Sequence, residues 1–566
     1  MVMSERNSAR RLCKENASFI IYLVISTSYL GMQMLQGLSY LDIGMYMSGC
    51  EHIADDASAS VFLGQWLLSF VASSGVMRLL HADGFMALRV MYLVLTAVMQ
   101  TMVYAYCRRY VPVRYVIAGL ALTVLSLFGA YTEINYNDYT MLLVMLAILC
   151  YHRGMASGWG YMVLSGFLIG LSFYFRITNL AFIMLPLAAW LTGHVVRWGR
   201  YGFRYQALSF AAGWVLGIIA TGLVVWLLGY GNVMAFTLRN IMTVGGNASD
   251  SHSLKNVIIC FYEIHKTEVA ATSVIVAVGW LCWLTLRHMA GLWRVLWLAA
   301  LSGVMVLCVY LWEHPSSITI GICLFGLALC LTDRAESAEL KHLFALAVCL
   351  PVLAPLGSNA GAAFACKGTC MLALPMALYA FDRQWRHQCP LLTCREGRAA
   401  YRQTLRLCYA AVCCAMIYTN VLRPMMEDGN RLECRYRVDS PLTGPIMTTR
   451  HNADTHNYLL KRVKPMLADG EYLVSNGSLT AISLLGCRPY AVYSTVFSGD
   501  IMNSRYIDYA LAHTHRLPSI LDDADAHTAK DLFVMRYIMS KGAYRAVWTD
   551  GRYTLWKPVG GSAVRR

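Results

Sequence analysis

The fold class this sequence predicts is an α-helical polytopic membrane protein of about 13 spans, with a small α/β domain at its C-terminal end. Three observations predict it. Apolar runs recur through residues 1–423, each near the ~20 residues that cross a hydrocarbon core of roughly 30 Å. The 566 residues are 57% hydrophobic and 14% charged, with mean hydropathy +0.48. That excludes a soluble globular chain and a disordered one. From residue 424 onward the apolar runs give way to polar sequence with turn residues and strand-length segments. Within hydrocarbon every backbone N–H and C=O needs a partner in the chain, so the apolar runs must be helices.

The elements follow in order. Phe19 to Leu35 is too long for the core of a cleavable signal and reads as the first permanent span. Arg6, Arg10, Arg11 and Lys14 place its start in the cytoplasm. Residues 37–83 form the first outer loop, in which Val61 to Leu80 reads as a helix lying on the membrane surface. Spans two to six are expected at 85–106, 113–131, up to His152, 160–175 and up to His194. Span seven, at 207–229, leads to a polar outer loop at 231–266, and span eight ends at Arg287. Spans nine, ten and eleven end at WEHPSS (312–317), at Asp333 and Arg334, and at PLGSNAG (355–361). Span twelve reaches a basic loop at 382–406, and span thirteen covers 407–421.

This path puts most of the short-loop Lys and Arg on one side, as the positive-inside rule requires. The outward exceptions are Arg78, Arg89, Arg176, Arg239, Lys255, Lys266 and Lys367. The net charge of +15 therefore reflects orientation, and no nucleic-acid partner is expected.

The tail, 424–566, reads as a domain on the outer side, large enough for its own core. GEYLVSNG (470–477) is a buried strand running into a turn. Asp454 to Leu467 and Thr528 to Met539 are amphipathic helices. AYRAVWTDGRYTLWKP (543–558) is two β-rich runs about an Asp-Gly pair, a hairpin signal. Of the 19 cysteines, many lie in apolar runs as small hydrophobes. Cys366 with Cys370, and Cys434 with Cys487, are candidate pairs that sequence alone does not establish.

The polar residues of the outer loops would gather at one membrane face. Asp42 stands just past the first span, followed by Tyr46, Glu51, His52, Asp55 and Asp56. Ionisable groups at membrane depth usually mark a pathway or a reaction centre, although a cap or a solvated loop would also account for Asp42. The turn 131–138 (YTEINYND) offers Glu133, Asn137 and Asp138, where an acid also suits a helix N-terminus. Arg176 ends an apolar run against the inside bias, where it either snorkels to headgroups or holds a phosphate. Lys255, His314 and Asn359 complete the set from the later loops. No Walker motif, GxSxG elbow or HExxH occurs.

Four segments, YLDIGMY (40–46), INYNDYTMLLVMLAIL (134–149), GFLIGLSFYFRITNL (166–180) and LGSNAG (356–361), carry a family resemblance. The chain resembles the GT-C class of multi-span glycosyltransferases, the bacterial set related to protein mannosyltransferases and lipopolysaccharide glycosyltransferases. The resemblance implies transfer of a sugar from a polyprenyl-phosphate carrier to a glycan, lipid or protein acceptor, in contact with membrane lipid. It implies a bacterial inner membrane, with the active site and tail periplasmic. Asp42 takes the place of the general base, Glu133 and Asp138 the second acidic region, and Arg176 the cation for the carrier phosphate. Tyr46, Asn137, Lys255, His314 and Asn359 become further substrate contacts. Ile43 stands where the family commonly has a second acid, so no cofactor follows beyond a candidate divalent metal, Mg or Mn. An O-antigen ligase or polymerase and a lipid-linked-sugar transporter or flippase are the competing readings. The first would concentrate Arg and His in one late outer loop; the second predicts repeats and mid-membrane polar residues.

Overall fold

The structure is a computed structural model. It describes residues 2–39, 42–127, 132–245, 291–297, 315–354, 362–388, 395–425, 428–491, 500–527 and 529–559, with scattered further positions between 259 and 303. Among the described residues the first part of the chain is helical: α1 (Val2–Gln33), α2 (Asp42–His52), α3 (Leu67–Leu80), α4 (Phe85–Cys107), α5 (Val113–Leu125), α6 (Tyr136–Ser157), α7 (Trp159–Phe175), α8 (Leu185–Val196), α9 (Phe203–Leu227) and α10 (Gly231–Gly245). Then come α11 (Pro315–Thr332), α12 (Ala338–Leu353), α13 (Ala362–Gln388) and α14 (Arg395–Leu422).

Five described stretches are long and apolar enough to cross a membrane: Val61–Leu80, Phe85–Cys107, Tyr136–Ser157, Ile177–Val196 and Phe203–Leu227. Shorter apolar helices stand at Val113–Leu125, Trp159–Phe175, Thr319–Thr332 and Tyr409–Leu422. Two expected boundaries shift. The helix expected at 113–131 ends at Leu125, and the one expected at 407–421 continues back through its basic segment to Arg395. Most of the expected eighth and ninth spans lies outside the described residues.

Glycines set the closest helix contact. Gly166 and Gly170 of α7 face Gly213 and Gly217 of α9, where an added Cβ would strike the opposing backbone at all four positions. Paired small residues four apart let two apolar helices approach when lipid supplies no hydrophobic drive.

The two ends of the bundle are distinct. At one end Asn16 accepts from Tyr104 Oη at 2.7 Å, and Tyr110 Oη donates to Glu339 at 2.9 Å. At the other lie the C-terminal end of α1, the starts of α4 and α6, the end of α7 and the tail. Val61–Leu80, for all its apolarity, belongs wholly to that second end. Phe62 packs edge-on to Tyr506 of the tail, with centroids 5.7 Å apart. Ser69 donates to the Phe175 carbonyl at 2.9 Å, and Ser73 lies 2.9 Å from Tyr139 Oη. Phe85 N, just beyond it, donates to Leu442 O at 2.9 Å. The segment begins and ends at one level, so it runs along that end and does not traverse the bundle.

The tail folds as α15 (Arg450–Arg462), α16 (Thr480–Leu484), α17 (Asp500–Thr514) and α18 (Ala529–Met539) around strands β1 (Tyr436–Arg437), β2 (Met447–Thr448), β3 (Tyr472–Ser475), β4 (Arg488–Pro489), β5 (Ser519–Asp523), β6 (Tyr544–Thr549) and β7 (Tyr553–Pro558). The main sheet runs β4-β3-β5-β7-β6. Strand β3 is parallel to both neighbours, and β5, β7 and β6 pair antiparallel. The β6–β7 hairpin turns at Asp550-Gly551, where Gly551 has φ +96°. Cys434 and Cys487 are separate buried thiols and form no bridge, which corrects that candidate pair. The Cys366 side chain of the other candidate pair lies outside the described residues.

Candidate active site

The site is built from helix ends. At the start of α6, Asn135 accepts from Asn137 N at 2.8 Å, while the Asp138 carboxylate accepts from Asn135 N at 3.1 Å. This is a capping box, and it satisfies N–H groups that a helix start leaves unpaired. Asp138 has a second role. Its Oδ1 receives Lys367 Nζ of α13 at 2.7 Å. Lys367 also donates to Thr96 at 3.0 Å and lies 3.9 Å from the Tyr92 ring centroid. All of this is buried, where a charge is costly unless it is paired or hydrogen-bonded.

Glu133 is likewise buried and ion-paired, with Arg89 from the first turns of α4. Burial pushes the Glu133 carboxyl above the usual carboxylate range, and the Arg89 charge opposes that shift. Arg89 also donates to the Met34 and Gly37 carbonyls at the end of α1. Both sequence-nominated acids of this turn are thus held by cations.

Arg176 is different. It caps α7, is 5% exposed, and donates through Nη1 to Asn137 Oδ1 at 3.1 Å and to Ala354 O at 3.4 Å. Its guanidinium lies 5.5 Å from the Tyr136 ring centroid. Among the described residues no carboxylate lies within salt-bridge distance of it. Buried Arg431 also lacks one, but it closes helix ends by donating to Asn420 O and Gln33 O, each at 3.1 Å. A guanidinium has five N–H donors, and among the described residues those of Arg176 meet two acceptors, Asn137 Oδ1 and Ala354 O.

An aromatic wall joins Arg176 to α2. Tyr136 stacks on Trp66 at 4.7 Å, and Tyr46 of α2 lies 6.1 Å from Tyr136 and 5.8 Å from Phe70. Position 42 is one turn before Tyr46 on the same helix. The structure therefore brings Tyr46, Asn137 and Arg176 together, beside the helix that Asp42 begins. The Asp42 side chain, Lys255, His314 and Asn359 lie outside the described residues.

At the far end of α2, burial lifts Glu51 to about 7, with the Asp83 charge adding and a Ser483 hydrogen bond opposing. Burial lowers His52, helped by the Arg488 charge. Among the described residues no three His, Cys, Asp or Glu side chains converge to hold a metal ion. Sequence reasoning missed Arg89, Lys367, Trp66 and Tyr136 as parts of the site. For Arg89 and Lys367 a signal existed, because both defy the inside bias just as Arg176 does.

Helices apolar enough to cross a membrane thus form a bundle whose buried charges gather at one end, with the α/β tail seated on that end. The chain is similar to the solved structure of ArnT from Cupriavidus metallidurans bound to undecaprenyl phosphate, with a TM-score of 0.54, 12% identity, and coverage of 97% of this chain and 99% of that one. The apo state of the same ArnT aligns over 99% of this chain and all of that one, at 12% identity and a TM-score of 0.49. At such identity the likeness is one of fold. No family model matches the sequence, and no curated protein does.

Proposed function

We propose that the chain is a membrane glycosyltransferase that takes a sugar from a polyprenyl-phosphate-linked donor and transfers it, with inversion, to a hydroxyl of a glycan, lipid or protein. The transfer takes place on the extracytoplasmic face, with about thirteen crossings of a bacterial inner membrane and the tail periplasmic. The observation that carries this reading is Arg176, a buried guanidinium with no carboxylate partner among the described residues. It sits in a fold whose solved neighbour holds undecaprenyl phosphate. A buried cation without an acid suits a phosphate, which takes charge-assisted hydrogen bonds.

In this reading the acceptor hydroxyl gives its proton to the Asp42 carboxylate as its oxygen bonds to the anomeric carbon. The bond from that carbon to the phosphate oxygen breaks, and the polyprenyl phosphate leaves with the electron pair. Arg176 holds the charge that develops on it. The leaving phosphate is stable as an anion, so no acid is needed to protonate it, unlike a sugar leaving group. Glu133 and Asp138 act through Arg89 and Lys367, fixing the helix ends that form the pocket. Tyr46 and Asn137 line it, and Lys255, His314 and Asn359 complete it from the later loops. A divalent ion, Mg or Mn, remains a candidate component.

The test is mass spectrometry of lipid-linked sugars in cells lacking the chain. An accumulated polyprenyl-phosphate sugar that disappears when the wild-type chain is restored, but persists with Asp42→Asn, supports the proposal. Lipid-linked sugars unchanged by the deletion would overturn it.

A further inference from the structure

The segment that leads into α2 is held mainly from the tail. Leu38 N donates to Asp428 at 2.8 Å, and Leu38 O accepts from Asn452 Nδ2 of α15 at 3.1 Å. Ser39 O accepts from Thr480 Oγ1, at the first residue of α16. Gly37 N donates to Met447 O and Met447 N to Leu35 O, each at 2.8 Å, so β2 extends onto this segment. Just past position 42 the same tail helix returns. A Cβ added to Gly44 would collide with the backbone of Leu479 and Thr480. Asn452, Thr480 and Ser39 are buried, and Ile43 is fully so. Thr480 therefore grips the chain on both sides of Asp42, by its hydroxyl before it and by its backbone after it. The tail residues that do this lie more than 380 positions along the chain.

A carboxylate that removes a proton in the transition state must stand within hydrogen-bond reach of that proton, and an error of about 1 Å costs on the order of a hundredfold in rate. We propose that the C-terminal domain is an integral part of the catalytic centre, with Thr480 and Asn452 acting as positioning residues for the Asp42 segment. The inference rests on the reading of Asp42 as the base, and it adds the device that aims it. In this reading the two sets of elements have separable roles: the bundle holds the carrier phosphate, and the tail orients the base.

The experiment uses the full-length protein in detergent or nanodiscs, with Thr480→Val, Thr480→Ser and Asn452→Ala. Valine keeps the shape of threonine without its hydroxyl; serine keeps the hydroxyl. Two readouts are taken: backbone hydrogen exchange over residues 37–46, and kcat and KM for transfer from undecaprenyl-phosphate-linked sugar. Thr480→Val combined with Asn452→Ala should speed exchange in 37–46 while leaving α6 unchanged. It should lower kcat about a hundredfold, with KM for the donor little altered, and Thr480→Ser should retain most of the activity. Unchanged exchange in the double variant would overturn the proposal, as would faster exchange with wild-type kcat. If the wild-type chain transfers no sugar, the assigned activity fails instead, and exchange alone then upholds or overturns the clamp.

Discussion

The two ends of the helical bundle use the same residue types in opposite ways. At the end away from the tail, Arg383, Arg386 and Arg114 pair with Asp333, Glu336 and Asp382 while their own side chains stay 24%, 44% and 60% exposed. At the tail end, Arg89, Glu133, Asp138 and Lys367 are nearly sealed from solvent, and Arg176 joins them with no acid partner among the described residues. Exposed charges cost little to keep and little to lose. Buried ones are expensive, and a protein keeps them where they do something. The difference is one of burial: charge at one end stays partly open to solvent, and charge at the other is sealed around Arg176.

The sharpest break in this comparison comes from the base. Asp42→Asn should lower kcat by about 10²- to 10⁴-fold, measured as sugar transfer in membranes, while Asp382→Asn at the opposite end should leave it near wild type. Arg176→Ala should cost about 10²- to 10³-fold by removing the group proposed to meet the developing phosphate charge. Equal effects of Arg176→Ala and Arg383→Ala would erase the distinction between the ends.

Stability sharpens it further. Lys367→Met leaves Asp138 buried and unpaired, so unfolding free energy should fall by about 3–5 kcal/mol. The double variant Asp138→Asn/Lys367→Met should recover much of that loss. Arg386→Ala removes a half-exposed guanidinium and leaves buried Asp382 with Arg114 and Tyr115, so it should cost less than about 1 kcal/mol. Denaturant melts of the purified variants measure all three.

Between these lies a pH effect at Glu51. Its carboxyl is lifted to about 7 in the folded chain. Between the ordinary carboxylate value and about 7, the folded state keeps a proton that the unfolded state has released. Stability therefore falls as pH rises through that window. Glu51→Gln should flatten the fall and raise Tm at pH 8 relative to wild type. An unchanged pH profile would show that the carboxyl is not held in its protonated form.

Much of the fold was legible because it rests on local sequence. Apolar run length marks α4, α6 and α9, and Asp550-Gly551 marks the β6–β7 turn. The run at 61–80 shows the limit of that signal. Length and apolarity suit a crossing, but Phe62 against Tyr506 and Ser69 against Phe175 keep the segment at one end. Arg176 was legible because it violates a charge rule. The pairings were not: Lys367 and Asp138 lie 229 positions apart, and Thr480 and Ser39 lie 441 apart. Only the packed structure says which of these cations has an anion among the described residues.

Direct binding of undecaprenyl phosphate to the purified chain, followed by native mass spectrometry, tests that assignment most plainly. Wild type and Arg383→Ala should retain the lipid to the same degree, and Arg176→Ala should lose it. Retention by Arg176→Ala equal to that of wild type would contradict the assignment of this guanidinium to the carrier phosphate.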